Sequence, residues 1–302
     1  MMNTFERARA FVARNARPLD FARWRFLFED GRAEDVVSAL AAYQNPDGGF
    51  GHALEPDAWN PNSAPMQTWT ATEILREIGL LDAAHPVVAG ILRYLTGGAH
   101  FDGHTWENAP QSNNDYPHAP WWAVGSDSSS HTSYNPTACL AGFLLACAPP
   151  VSPAYALGTR IAGEAMAAYM YGGLLSDMHT VLCYIRLAEY GARAGLDVSA
   201  LREKLLLQVG ASLTRETEKW ETGYVCKPSQ FFDSAQSPFC AGNAEIAAYE
   251  CAFIRRTQCE DGSWPVNWSW SAYPEAWAVS KNWWKADIAI RNMRFLKGME
   301  NQ

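Results

Sequence analysis

Two segments more than two hundred residues apart carry the same short phrase. Gln44-Asn45-Pro46-Asp47-Gly48-Gly49-Phe50 follows one apolar run of helical period, and Gln258-Cys259-Glu260-Asp261-Gly262-Ser263-Trp264 follows another. Each reads as Gln, two residues, Asp-Gly, one small residue and a large aromatic. Asp-Gly is a strong turn dipeptide, because Gly accepts positive φ without steric cost and Asp bonds its own backbone. The Gln amide can bond across the turn, and the aromatic can fold back over the helix end. A helix terminator repeated in register implies a repeated architecture.

The rest of the chain is helical in pattern. Helical spacing and stop signals predict helices over residues 3–15, from Pro18 onward, and over 68–78, 87–95, 137–146, 154–170, 177–190, 201–213 and 284–297. Asn135-Pro136 and Ser152-Pro153 read as cap and first-turn pairs. No run of alternating strands is visible, so the class is all-α. Degenerate copies of the terminator at residues 97–103, 172–175 and 221–224 give a spacing of roughly fifty residues, the length of a helical hairpin with a generous loop. Five or six hairpins account for the chain, and the polar stretch 125–133 reads as a loop rather than a linker. The expectation is one domain spanning 1–302.

The pattern of a helix, Gln-x-x-Asp-Gly-Gly-Phe, a loop, and a helix opening Thr68-Trp69-Thr70-Ala71-Thr72 resembles the repeat of the terpenoid cyclase and protein prenyltransferase superfamily. Gln258 to Trp264 is similar to that superfamily's QW motif, and Gln44 to Phe50 to its Phe-containing version. The resemblance implies an α/α toroid, with inner helices opening near Thr68, Asn135, Asp177 and Lys285 and a further one between 223 and 243. It also implies an apolar, isoprenoid substrate. The motifs that carry the superfamily's standard chemistry are absent, however. The chain has no Asp-x-Asp-Asp acid, no Asp-Asp-x-x-Asp diphosphate site and no Asp-x-Cys zinc pair.

Composition narrows the partners. The formal charge of −8 and the lack of a basic run argue against a nucleic-acid partner. No stretch is apolar enough to span a membrane, and no signal peptide is visible. The seven cysteines are odd in number, lack a CxxC and sit in apolar runs, which reads as buried free thiols in a reducing, cytoplasmic compartment. Thirteen Trp, thirteen Phe and twelve Tyr suit an aromatic cavity or a helix-stacking core.

Four constellations carry candidate chemistry. Glu55 and Asp57, just after the first motif, form a potential acid/base pair, or else buttress the loop before Pro61. Asp177 and His179 open a helix, where an anion is favoured; the alternative is a simple cap. The polar-aromatic loop ending in Trp121 and Trp122 offers stacking faces, or seals a repeat interface. The Trp-rich stretch 264–285, with Tyr273, Trp283 and Trp284, and Trp69 at the head of an inner helix, supply faces for an apolar or cationic ligand. No motif calls for a cofactor, and magnesium would enter only with a diphosphate substrate. The expected function is therefore isoprenoid handling. The alternatives are a non-catalytic toroid that binds an apolar ligand or peptide, and a carbohydrate-active α/α barrel using Glu55, Asp57 and the Trp faces.

Overall fold

Eleven α-helices joined by irregular loops make up the described chain, which in this computed structural model comprises residues 2–125 and 133–300. The helices are α1 (Thr4–Asn15), α2 (Pro18–Phe28), α3 (Ala33–Ala41), α4 (Pro65–Glu77), α5 (Pro86–Thr96), α6 (Tyr134–Cys147), α7 (Pro153–Tyr171), α8 (Met178–Arg193), α9 (Ser199–Ser212), α10 (Ala244–Arg256) and α11 (Pro274–Glu300). Among the described residues the only extended pairings are isolated bridges, such as Phe50 with Ala64 and Ala58 with His118. Most of the loop expected at 125–133 lies outside the described residues. No helix among them is long and apolar enough to cross a membrane.

The described chain packs as two units. One takes Met1–Ala39, Leu206–Trp270 and Pro274–Gln302, the other Leu40–Leu205 and Ser271–Tyr273. In the first, α1 opens with a capping box: the Asn3 side chain accepts from the Glu6 amide, and the Glu6 carboxylate from the Asn3 amide, both at 2.9 Å. Helix α1 packs on α2 and α11, and α11 also packs on α2 and α10. The core here holds Phe11, Trp24, Trp220, Ile290 and Phe295. A buried ionic chain joins α2 to α11: Arg17 Nε to Asp20 at 2.7 Å, Arg23 to Asp20 at 3.2 Å, and Arg23 to Asp287 at 2.9 Å. Burial opposes ionisation of Asp287, but the Arg291 and Arg23 guanidiniums overcome it and hold the carboxyl down at about 2.

In the second unit, α6 lies between α4 and α8, while α7 packs against α5, α6 and α8. Leu75, Ile91, Leu140, Phe143 and Leu187 are fully buried there. Arg186 of α8 joins Glu73 of α4 at 2.8 Å.

Each unit contains one sharp copy of the repeated phrase, and the two copies adopt the same bonding pattern. Gln44 Nε2 donates to the Gly48 carbonyl at 3.0 Å and to the Val87 carbonyl at the head of α5, also at 3.0 Å. Gln258 Nε2 donates to the Gly262 carbonyl at 3.0 Å and to the Thr4 carbonyl at the head of α1 at 2.9 Å. Asp47 accepts from the Gly49 amide and Asp261 from the Ser263 amide, each at 2.9 Å. Gly48 and Gly262 have φ of +97° and +94°. The phrase is a clasp: the Gln amide holds its own turn and the first turn of another helix, while Phe50 and Trp264 are driven into the core. Trp106 follows a third, Gln-less copy. Its amide donates to Thr137 Oγ1 at 3.0 Å, as the Phe50 amide does to Thr68 Oγ1 at 3.1 Å.

Several helix boundaries differ from the sequence expectation, each for a local reason. Pro65 and Pro274 occupy first-turn positions, so α4 begins before Thr68 and α11 ten residues before Trp284. In α6, Asn135 keeps extended angles (φ −107°, ψ 109°) before a cis bond to Pro136, and Ser133 accepts from the Asn135 amide. The helix expected between 223 and 243 is absent; only a short 3-10 turn, Pro228–Gln230, lies there. All seven cysteines are unpaired, and all but Cys259 are buried.

Candidate active site

In the second unit, the loop after the first clasp folds its two carboxylates inward. Glu55 and Asp57 are both buried. The Glu55 amide donates to Gln67 Oε1 at 2.6 Å, and the Glu55 carboxylate accepts from the Asp57 amide at 3.0 Å. This loop is stitched to the polar-aromatic loop: the Ala119 amide donates to the Asp57 carbonyl at 2.8 Å and the Trp59 amide to the Pro117 carbonyl at 2.9 Å. Trp121, exposed, and Trp122, half-buried, form the turn that follows. Tyr273, at φ +54°, faces His118 with ring centroids 5.5 Å apart. The fold thus brings Glu55, Asp57, Trp121, Trp122 and Tyr273 into one loop cluster.

Asp177 is exposed and caps α8. One carboxylate oxygen accepts from the His179 amide at 3.1 Å, the other from the Thr180 amide at 3.0 Å and the Thr180 hydroxyl at 2.5 Å. His179 is half-buried in the first turn, and Trp69 is half-buried on α4. Thr180 also lines a cleft of about 670 Å³ walled by Tyr134, Tyr169 and Tyr184, with Asp102 and His104 at its polar side.

The first unit holds a second cleft, of about 540 Å³. Trp264 of the second clasp forms part of its wall, its indole N–H donating to the Ile254 carbonyl at 2.8 Å. The chain then continues along the cleft through Asn267 and Trp268. Asn267 Nδ2 ties this stretch to the Trp220 carbonyl at 3.4 Å and the Gly223 carbonyl at 3.2 Å. Tyr224 meets Trp268 edge-on at 5.5 Å, and Trp220 meets Phe253 edge-on at 5.6 Å. Trp284, expected as a ligand face, stands edge-on to Trp268 at 5.2 Å, with the Arg291 guanidinium 5.9 Å from its ring centroid. Trp283 instead carries the Arg17 guanidinium, 5.3 Å from its centroid.

Glu250, from the middle of α10, lines this cleft and is almost completely buried. Its carboxylate accepts from the Ser229 amide at 2.8 Å and the Ser229 hydroxyl at 2.6 Å. Burial pushes the carboxyl up to about 7, against the opposing pull of the two Ser229 bonds and of Lys227. Lys227 is half-buried, with Nζ 4.8 Å from the Phe253 ring centroid and 5.8 Å from that of Trp220. Burial lowers its pKa, and Glu250 acts in the opposite sense. The aromatic faces, which attract a cation, offset part of the burial effect. The cleft's other charges are compensated: Arg256 lies 3.8 Å from Glu221 and Arg291 2.6 Å from Asp287. The arrangement can exchange a proton near neutral pH inside aromatic walls.

Neither Glu250 nor Lys227 was singled out by the motifs, although Glu250 had a signal. It lies three or four residues from Ile246, Ala247, Phe253 and Ile254, so helical period puts a carboxylate on the buried stripe of α10. Lys227 sits in an irregular segment and had none. Among the described residues no three or more His, Cys, Asp or Glu side chains are grouped to hold a metal ion. Comparison of the chain with protein-family models, with curated proteins and with solved structures finds no match.

Proposed function

We propose that the chain is an isoprenoid-handling enzyme of the terpenoid-cyclase-like type, working in the cytoplasm, with its active site in the cleft that contains Glu250. The observation that carries this reading is a buried carboxyl poised at about 7 within a cavity walled by Trp220, Tyr224, Phe253, Trp264 and Trp268. Aromatic faces suit an apolar chain and attract a developing cation, and a carboxyl poised near ambient pH suits proton transfer in both directions. The seven unpaired thiols suit a reducing compartment.

The proposal includes the α/α toroid. Its support is the alternation of α4, α6 and α8 with α5 and α7, together with the clasp by which Gln258 grips the head of α1. A ring of hairpins requires repeats distant in sequence to engage one another, and Gln258 to Thr4 makes such a link.

A carboxyl near 7 is a weak acid for protonating an isolated alkene. It matches a substrate whose reacting group is an oxygen or nitrogen function. Glu221 lines the same cleft, and two carboxylates beside Trp264 and Trp268 favour the carbohydrate reading as the alternative. The test is incubation with geranyl, farnesyl and geranylgeranyl diphosphates, the corresponding alcohols and squalene, with and without magnesium, alongside a panel of aryl glycosides. An isoprenoid product supports the proposal. Glycoside cleavage with no isoprenoid product replaces it with the sugar reading.

A further inference from the structure

We infer that Lys227 is a covalent attachment site, which holds an aldehyde or ketone as an imine inside the aromatic cleft. The inference rests on the reading of this cleft as the site of an apolar substrate, and it assigns that substrate's reacting group.

The chain has six lysines, and their surroundings differ. Lys204 donates to the carbonyls of Tyr169 and Gly172, Lys297 to that of Leu27, Lys285 pairs with Asp261 at 3.3 Å, and Lys219 lies 3.8 Å from Glu216. Lys281 is exposed. Lys227 lines the aromatic cleft, and among the described residues no hydrogen bond and no carboxylate within 4 Å holds its ammonium, although Glu250 acts on it from further off. It lies instead against the rings of Phe253 and Trp220. An amine desolvated in an apolar pocket sheds its proton more readily and becomes a nucleophile.

Glu250 supplies the second requirement, a proton carrier in the same cleft. The neutral Lys227 nitrogen attacks the carbonyl carbon; the carbonyl π electrons take the Glu250 proton; and the resulting carboxylate removes a proton from the nitrogen. Glu250 then returns that proton to the carbinolamine hydroxyl, which leaves as water. The products are a protonated imine on Lys227 and a carboxylate on Glu250, in a site where the imine's charge lies against aromatic faces. No oxidant or metal is needed.

The experiment uses the full chain near neutral pH with decanal, and separately with citral, in the presence of cyanoborohydride, which reduces an imine to a stable secondary amine. Peptide mapping should place the added alkyl group on Lys227 before any other lysine. K227R should lose that label while keeping the wild-type near-UV circular dichroism, K281R should keep it, and E250Q should slow its appearance. Labelling spread over Lys281 and other surface lysines, with the Lys227 peptide unmodified, would overturn the inference. Mapping on the wild-type chain decides this even if K227R fails to fold. Turnover of an isoprenoid aldehyde that is unchanged in K227R would also overturn it, and would leave the isoprenoid reading standing. Attachment of decanal to Lys227 with no reaction of citral would do the reverse, retaining the amine site and refuting the isoprenoid substrate.

Discussion

Replacing Glu250 by Gln should change how stability depends on pH, by an amount that follows from its burial. The carboxyl is raised from 4.5 to about 7 in the folded chain, chiefly by desolvation. Between those values the folded state keeps a proton that the unfolded chain has released. Stability contributed by this group is therefore full below about 4.5 and is lost as the pH rises through 7. At ~1.4 kcal/mol per pH unit, the loss across the window is about 3 kcal/mol. E250Q has no such proton to lose. Its amide oxygen can accept from the Ser229 amide while its NH2 donates to the Ser229 hydroxyl oxygen, as the protonated carboxyl does, so the swap itself costs little and equally at every pH. Urea unfolding followed by tryptophan fluorescence at pH 5 and pH 8 separates the two effects. Relative to E250Q, wild type should lose about 2.5 kcal/mol of stability between pH 5 and pH 8. Parallel pH dependences in the two proteins would refute the claim that Glu250 is protonated in the folded chain near neutrality.

Other substitutions test the frame around the site. A Cβ on Gly48 would lie 2.1 Å from the Gly90 carbonyl oxygen, and one on Gly262 2.2 Å from that of Arg7, both at positive φ. G48A and G262A should each lower the unfolding free energy by roughly 2–4 kcal/mol, whereas G79A, at positive φ with open space around it, should cost only about 1 kcal/mol. D177A removes the cap of α8 and should destabilise by about 1 kcal/mol in the same assay. Asp287, held at about 2, contributes stability that is present above 3.8 and lost as the pH falls through 2. D287N should flatten that acid limb and, by removing the carboxylate shared by Arg23 and Arg291 while Arg23 keeps Asp20, cost about 2.5 kcal/mol at pH 7.

The clasp was legible in the sequence because each of its parts has one mechanical job. Gly48 and Gly262 need positive φ, Asp47 and Asp261 need a short acceptor, and Gln44 and Gln258 need reach. The helices flanking the clasps were legible from period and caps for the same reason. Pro65 and Pro274 fit the first turn of a helix and carry α4 and α11 upstream of their first apolar-periodic residues, so both start earlier than expected. The chain between Trp220 and Asn243 could not be read, because its order comes from long-range bonds such as Asn267 to Gly223 and Ser229 to Glu250 and not from a local period. The sequence pointed to Glu55, Asp57, Asp177 and His179 because acids in loops and first turns look available. The fold turns Glu55 and Asp57 inward, and uses Asp177 to cap α8. Glu250 is the converse, a carboxylate on an apolar stripe whose significance depends on the depth of its burial.

Turnover of the best substrate in the isoprenoid panel, compared among E250Q, D57N and D177N, tests the assignment of the active site most directly. The account predicts that E250Q loses a factor of about 10²–10⁴ in kcat while D57N and D177N stay near the wild-type rate. Full activity in E250Q, or its loss in D57N or D177N with the fold intact, would move the chemistry away from the Glu250 cleft and contradict the account.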